Sequence, residues 1–182
     1  MRNVVGIVTL LGAAAVGQVA NAADGKINFS GELVGQTCTV AVDGVVSPSI
    51  ASVTLPSVSA GALPNSGDSA GRTGFNIQLS NCAGAATTAA AFFESGSTVD
   101  PVSGYLRNAS GTASNVNLRL IDAQNGSVIK AGNTNQKTLT SRSAIDGSGN
   151  AVLSYAVEYV ATAAAPTPGT VESSVTYSID YQ

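Results

Sequence analysis

Histidine and tryptophan are absent from this 182-residue chain, and charged residues make up only 10% of it. Without histidine the commonest general base is missing, and neither a Ser-His-Asp nor a Cys-His nucleophile can be built. The same lack, with only two thiols, Cys38 and Cys82, leaves no plausible metal-ligand set, and no cofactor is expected. Basic residues form no cluster, which argues against nucleic acid or an anionic membrane as partner. The scattered carboxylates offer no close pair for acid–base work. Ser127-Val-Ile-Lys130 has the Ser-x-x-Lys spacing of penicillin-recognising enzymes, but it follows a turn and has no companion motifs, so it reads as coincidence in a serine-rich chain. Gly147-Ser-Gly149 reads as a turn and not as a phosphate loop. Nothing here points to an enzyme.

What is present begins with an export signal. Met1-Arg2-Asn3 is positive, Val4 to Val19 is small and apolar apart from Thr9 and Gln18, and Ala20-Asn21-Ala22 fits a signal-peptidase site. The apolar stretch is too short and too rich in glycine and alanine for a convincing membrane span. Residues 1–22 are therefore expected to be a signal peptide, leaving about 160 residues for one domain with a real core. Removing Arg2 from the eight basic residues leaves seven against eleven acidic ones, a net charge of −4. In an oxidising compartment the two cysteines default to one disulfide, Cys38–Cys82, with two buried free thiols as the alternative. A bridge would close a loop of about 45 residues, worth about 4 kcal/mol in the chain-entropy account, with Cα atoms about 4.4–6.8 Å apart.

Period-two alternation runs through the rest. At the C-terminal end Val171, Ser173, Val175, Tyr177, Ile179 and Tyr181 alternate with Glu172, Ser174, Thr176, Ser178 and Asp180. That pattern predicts a strand over 171–181 with one face buried, ending one residue before the chain does, so one of its edges is expected to be open to another chain. Near the other end Ile27, Phe29, Gly31 and Leu33 alternate with Lys26, Asn28, Ser30 and Glu32. Further strands are expected at 38–42, 53–55, 75–79, 89–93, 116–120 and 153–159, and Asn125-Gly126 predicts a two-residue hairpin turn. The alanine-rich pieces 83–91 and 161–165 allow at most a short helical turn, because one lacks a helical stripe and the other is cut by Pro166 and Pro168. Short strands between turn signals predict an all-β sandwich or barrel in a single domain.

Together these segments resemble the chaperone–usher pilins, most closely the major subunit of type 1 fimbriae. The resemblance spans essentially all of the chain after residue 22. It rests on Gly25-Lys-Ile-Asn-Phe-Ser-Gly-Glu-Leu-Val34, Cys38, Gly74-Phe-Asn-Ile-Gln-Leu-Ser-Asn-Cys82, Ser114-Asn-Val-Asn-Leu-Arg-Leu-Ile-Asp122 and Tyr177-Ser-Ile-Asp-Tyr-Gln182. The family's penultimate tyrosine and its glycine fourteenth from the end correspond to Tyr181 and Gly169.

The resemblance implies an incomplete immunoglobulin-like β-sandwich lacking its last strand, with residues 23–35 as an N-terminal donor-strand extension and 36–182 as the pilin domain. Ile27, Phe29, Gly31 and Leu33 would form the donor face. Gly169, Val171, Val175, Tyr177, Ile179 and Tyr181 would belong to the acceptor groove and chaperone contact. Gly169 is expected to let the backbone turn sharply into the last strand. The implied partners are identical or related pilin subunits, a periplasmic chaperone and an outer-membrane usher, and the implied location is a fimbrium outside the cell. A minor or adaptor pilin shares every motif. A secreted β-sandwich carbohydrate-binding module is the rival from another class, and the lack of tryptophan speaks against it, since such modules present aromatic platforms. The export reading predicts a mature chain beginning at Ala23; mass spectrometry of surface-extracted protein that finds Met1 retained overturns it.

Overall fold

A computed structural model describes residue 35, residues 37–163 and residues 165–182. The expected signal peptide, residues 1–22, and the expected donor residues Ile27, Phe29, Gly31 and Leu33 lie outside the described residues. The described residues are almost entirely β, as the alternation predicts. The larger sheet contains β1 (Thr37–Val42), β2 (Val45–Val46), β3 (Ser69–Ala83), β5 (Leu106–Arg107), β6 (Val116–Asp122), β7 (Val128–Ile129) and β9 (Ala151–Ala161). Its order is β2-β1-β3-β9-β6-β5, with β7 hydrogen-bonded to β6. The smaller sheet has the order β10-β4-β8, from Tyr177–Tyr181, Thr88–Phe93 and Ser143–Ala144. A 3₁₀ turn covers Ala60–Ala62, and a single helical turn, α1, covers Gln136–Leu139. Neither short helix falls in the alanine-rich pieces.

Inward-facing residues of both sheets meet in one core. Phe75, Ile77 and Leu79 of β3, Leu153, Tyr155 and Val157 of β9, and Leu118 and Leu120 of β6 pack with Ala89, Ala91 and Phe93 of β4. Phe93 stands edge-on to Tyr155, with ring centroids 5.1 Å apart, and to Phe75 at 6.5 Å. Such crossed rings add about 0.5–1.5 kcal/mol per pair beyond the area they bury. Small alanines on β4 face large residues on β9, so the two layers interlock without overpacking.

Two side chains close one edge of the smaller sheet. β8 covers β4 only at Thr88 and Ala89. Beyond that, the Ala91 N–H donates to the Tyr155 hydroxyl at 2.8 Å, reached through the core from β9. The Phe93 N–H donates to Gln136 Oε1 at 2.9 Å, while Gln136 Nε2 donates back to the Phe93 carbonyl at 3.0 Å. Gln136, fully buried on α1, thus imitates a neighbouring strand. Burial pushes the Tyr155 hydroxyl's pKa up, against the opposing effect of the bond from Ala91, so it stays neutral.

Three sequence expectations are corrected. The segment 53–55 alternates in burial, with Val53 and Leu55 partly buried, but forms no strand, since no neighbouring ladder is present among the described residues. The last strand is regular only over Tyr177–Tyr181, because residues 171–176 are bonded irregularly to a loop instead of to a straight partner. Asn125-Gly126 does not form a two-residue turn. Asp122 N–H donates to the Ser127 carbonyl, leaving a four-residue loop, because the Asp122 carboxylate accepts from the Gln124 and Asn125 N–H groups and winds the chain tighter before the turn closes.

The disulfide joins Cys38 on β1 to Cys82 near the end of β3 with Cα atoms 4.1 Å apart. This is slightly closer than the expected range, at a place where the register of β1 against β3 shifts between Thr37 and Thr39. On the outer face of the larger sheet Glu158 is 3% exposed and lies between two arginines. Arg72 Nε donates to it at 2.8 Å and Arg119 Nε at 3.0 Å, with Arg119 Nη2 also in contact. Burial disfavours the Glu158 charge, but the arginine hydrogen bonds and charges outweigh it, so its pKa falls below the ordinary carboxylate value.

Two outcomes follow from these buried polar groups. Gln136→Leu leaves the Phe93 N–H unsatisfied and is expected to cost about 1–3 kcal/mol in urea unfolding. Glu158→Gln is expected to cost about 2 kcal/mol at pH 7. Because the folded pKa of Glu158 is depressed, its contribution is present above the unfolded value of about 4.3 and is lost as pH falls through the folded one, so wild type and variant should converge in acid.

Candidate functional site

Two segments that face each other across an apolar groove define the site, one outside both sheets and the other ending in β10. On one side runs the segment after β2, where Ala51, Val53 and Leu55 point inward and Ser52, Thr54 and Pro56 outward. On the other runs the end of the chain, with Val171, Ser173, Val175, Tyr177, Ile179 and Tyr181 inward and Glu172, Ser174, Thr176 and Ser178 outward. Both segments therefore have the burial rhythm of strands. Among the described residues, no backbone hydrogen bond joins residues 50–58 to residues 171–181. Among these residues β10 pairs with β4 alone, in the register Tyr177↔Phe93 to Tyr181↔Ala89.

Between these walls lies a cavity of about 680 Å³. Val53 and Leu55 line one wall, Val175, Tyr177 and Ile179 the other, and Phe75, Leu118 and Val157 the floor. The floor is thus the core itself. None of the odd-numbered residues from Val171 to Tyr181 is fully buried, although all except Ser173 pack against the core. Val171 and Tyr181 sit beyond the cavity's two ends, and burial raises the Tyr181 hydroxyl's pKa. Ser173 brings a buried hydroxyl that has no hydrogen-bond partner among the described residues.

The terminal strand is held from behind. The Gln182 carbonyl accepts from the Thr87 and Thr88 N–H groups at 2.7 and 2.8 Å, and the Gln182 N–H donates to the Thr88 carbonyl. Arg142, just before β8, reaches beneath both strands. Its Nη2 donates to the Asp180 carbonyl at 2.7 Å and its Nε to Thr88 Oγ1 at 3.1 Å, while Nη1 lies 3.4 Å from the Asp180 carboxylate. The inner edge of β10 is therefore anchored, and among the described residues its groove-facing edge has no paired strand.

Gly169 serves a purpose other than the turn expected of it. Its φ is outside the left-handed region, so no unusual backbone angle requires glycine there. A Cβ would instead meet Ala113 N at 2.5 Å and Thr112 Oγ1 at 2.6 Å. At this crossing the chain entering the last strand lies directly against residues 108–114. Asn108 fastens it, with Nδ2 donating to the Thr170 carbonyl at 3.1 Å and Oδ1 accepting the Glu172 N–H at 2.8 Å. The requirement is close approach of two backbones.

The sequence did not disclose Tyr155, Gln136, Arg142 or Asn108 as the residues that fix this geometry. Tyr155 carried a signal, since an inward tyrosine in a strand needs a partner for its hydroxyl. The others sit in loops or a short helical turn where no periodicity marks them.

The family model described as "Type-1 fimbrial protein, A" matches residues 55–182. The major fimbrial subunit SMF-1 of Stenotrophomonas maltophilia is 43% identical over 92% of this chain and 98% of its own length. The F17 fimbrial protein of Escherichia coli is 39% identical over 93% of this chain and 94% of its own. Among solved structures, a type I fimbria protein of Burkholderia pseudomallei aligns with a TM-score of 0.50 at 24% identity, over 82% of this chain and 99% of that one. The CupB6 tip adhesin of Pseudomonas aeruginosa aligns with a TM-score of 0.51 at 19% identity, over 65% of this chain and only 33% of the adhesin. These two likenesses concern the fold. With a family model over most of the described domain and two relatives matched over nearly their whole length, the chain belongs to the type-1 fimbrial protein A family, the structural subunits of surface fimbriae.

Proposed function

We propose that this subunit forms the shaft of its fimbrium and polymerises by donor-strand exchange. The observation that carries the reading is the pair of alternating, half-buried segments that face each other across an apolar groove, with no ladder between them among the described residues. A strand laid between them satisfies the backbone groups of β10 and covers the core with its alternate side chains. Residues 27–33 have the required pattern: Ile27, Phe29 and Leu33 on one face, with Gly31 where close backbone approach is wanted. Burying the three large side chains contributes about 1.5–3 kcal/mol each. Backbone bonds add about 1 kcal/mol apiece, before association costs.

In this reading residues 1–22 direct export and are removed, residues 23–35 serve the next subunit, and residues 36–182 form the domain that accepts. A periplasmic chaperone fills the groove first, and an outer-membrane usher exchanges that strand for the next subunit's extension. The role is mechanical and not catalytic, in keeping with a chain that has no histidine. A place in the shaft is favoured over an adaptor position because the Stenotrophomonas maltophilia relative is named a major subunit.

Donor variants test the reading. Phe29→Asp brings a charge to an apolar groove at a cost of several kcal/mol, and Gly31→Leu adds bulk where the backbone must lie close. Both are expected to give folded, chaperone-bound subunits and few or no filaments by electron microscopy of the cell surface. Filaments at wild-type density from either variant overturn the donor assignment. Deleting Tyr177–Gln182 is expected to abolish chaperone capture and expose the subunit to periplasmic proteolysis; a soluble, chaperone-bound truncation contradicts the assembly edge.

A further inference from the structure

Among the described residues, one hydrogen bond joins the two walls of the groove: Ser47 Oγ and the Tyr177 hydroxyl lie 3.3 Å apart, 130 residues apart in sequence. We propose that this pair is a latch across the groove which an incoming strand must part, so that Ser47 and Tyr177 set the rate of strand uptake. The inference rests on the donor-strand reading above.

Both ends of the latch are held in place by backbone. Ser47 follows β2, and its N–H donates to the Val40 carbonyl at 2.9 Å, tying it to β1. The turn after it is fixed by the Ser49 N–H donating to the Val46 carbonyl. Tyr177 is the first residue of β10 and pairs with Phe93, and the preceding Thr176 carbonyl accepts from the Glu94 N–H at 2.9 Å. The hydroxyl thus spans the groove from an anchored strand to an anchored turn. Both residues line the cavity, with Val175 and Ile179 on either side of Tyr177 along the wall.

A strand pairing with the free edge of β10 lies beside Tyr177 and between it and the turn at Ser47. The tyrosine ring has to swing inward or the turn has to move outward before the ladder passes this point. The ring can then remain as part of the groove floor, so its apolar body is retained while the hydroxyl gives up its partner. Ser47 is exposed and Tyr177 half-buried, so water can replace the bond once it is broken. The latch therefore acts on the barrier to entry far more than on the stability of the domain.

The experiment uses the mature oxidised chain, residues 23–182, and a fluorescent synthetic peptide of residues 23–35 in excess, with uptake followed by anisotropy. Ser47→Ala and Tyr177→Phe are each expected to raise the uptake rate about threefold, the size expected from one exposed hydrogen bond. The double variant is expected to match either single one, because both remove the same bond. Unchanged or slower uptake in both single variants, or additive acceleration in the double variant, overturns the latch while leaving the donor-strand reading intact. Failure of the wild-type chain to take up the peptide at all overturns the donor-strand reading, and the latch with it.

Discussion

A β-sheet core is sealed only where every strand edge has a partner or a cover, and among the described residues one edge of the smaller sheet is covered and the other is not. The far side of β4 is closed by a tyrosine hydroxyl from the opposite sheet and by a glutamine that mimics a strand. The near side is β10, whose own outer edge faces the groove. The arrangement is economical because the same small sheet needs rigidity on one flank and availability on the other. Anchoring by Arg142 and Gln182 keeps β10 in register while its second edge stays free to pair. A frayed terminal strand could not present a regular row of donors and acceptors.

The unsealed edge also sets the burial pattern. Residues that a complete sandwich would hide, from Val53 to Leu55 on one wall and Val171 to Tyr181 on the other, remain half-covered. Apolar surface left in this state lowers the stability of the subunit, by roughly 25 cal/mol for each Å² that stays wet. In the donor-strand reading the fold is most stable when a partner strand is present, which links folding and assembly thermodynamically. Buried polar groups elsewhere, Glu158 between its arginines above all, hold the larger sheet together independently of that linkage.

Much of this was legible in the chain. Alternation at 75–79, 116–120 and 153–159 marked β3, β6 and β9 because each turns alternate residues into the core, and the rhythm of 171–181 marked the inward row of the last segment. The same rhythm overstated its regularity. Residues 171–176 alternate in burial yet are tethered to residues 94–109 by irregular bonds, a tertiary arrangement that no period records. Gly169 was visible as a special position, but its reason was not, since the neighbour it touches lies over fifty residues away. Gln136, Arg142 and Ser47 were silent for a similar reason. Each is a single polar residue in a loop or short turn, and its role appears only once distant backbones are brought beside it.

The bridge between Cys38 and Cys82 bears on how a filament of such subunits answers a pull. In the donor-strand assembly proposed above, tension arriving from a neighbour through the segment before β1 reaches the domain at Thr37, one residue from the disulfide. Without a covalent tie the load would peel β1 from β3 one hydrogen bond at a time, the weakest way to stress a ladder. With it, the force passes at once to β3, a 15-residue strand flanked by β1 and β9. The bonds of the wider sheet then share the strain in parallel. The fibre's tensile limit is thereby moved away from the first strand of the domain and toward the joint between subunits.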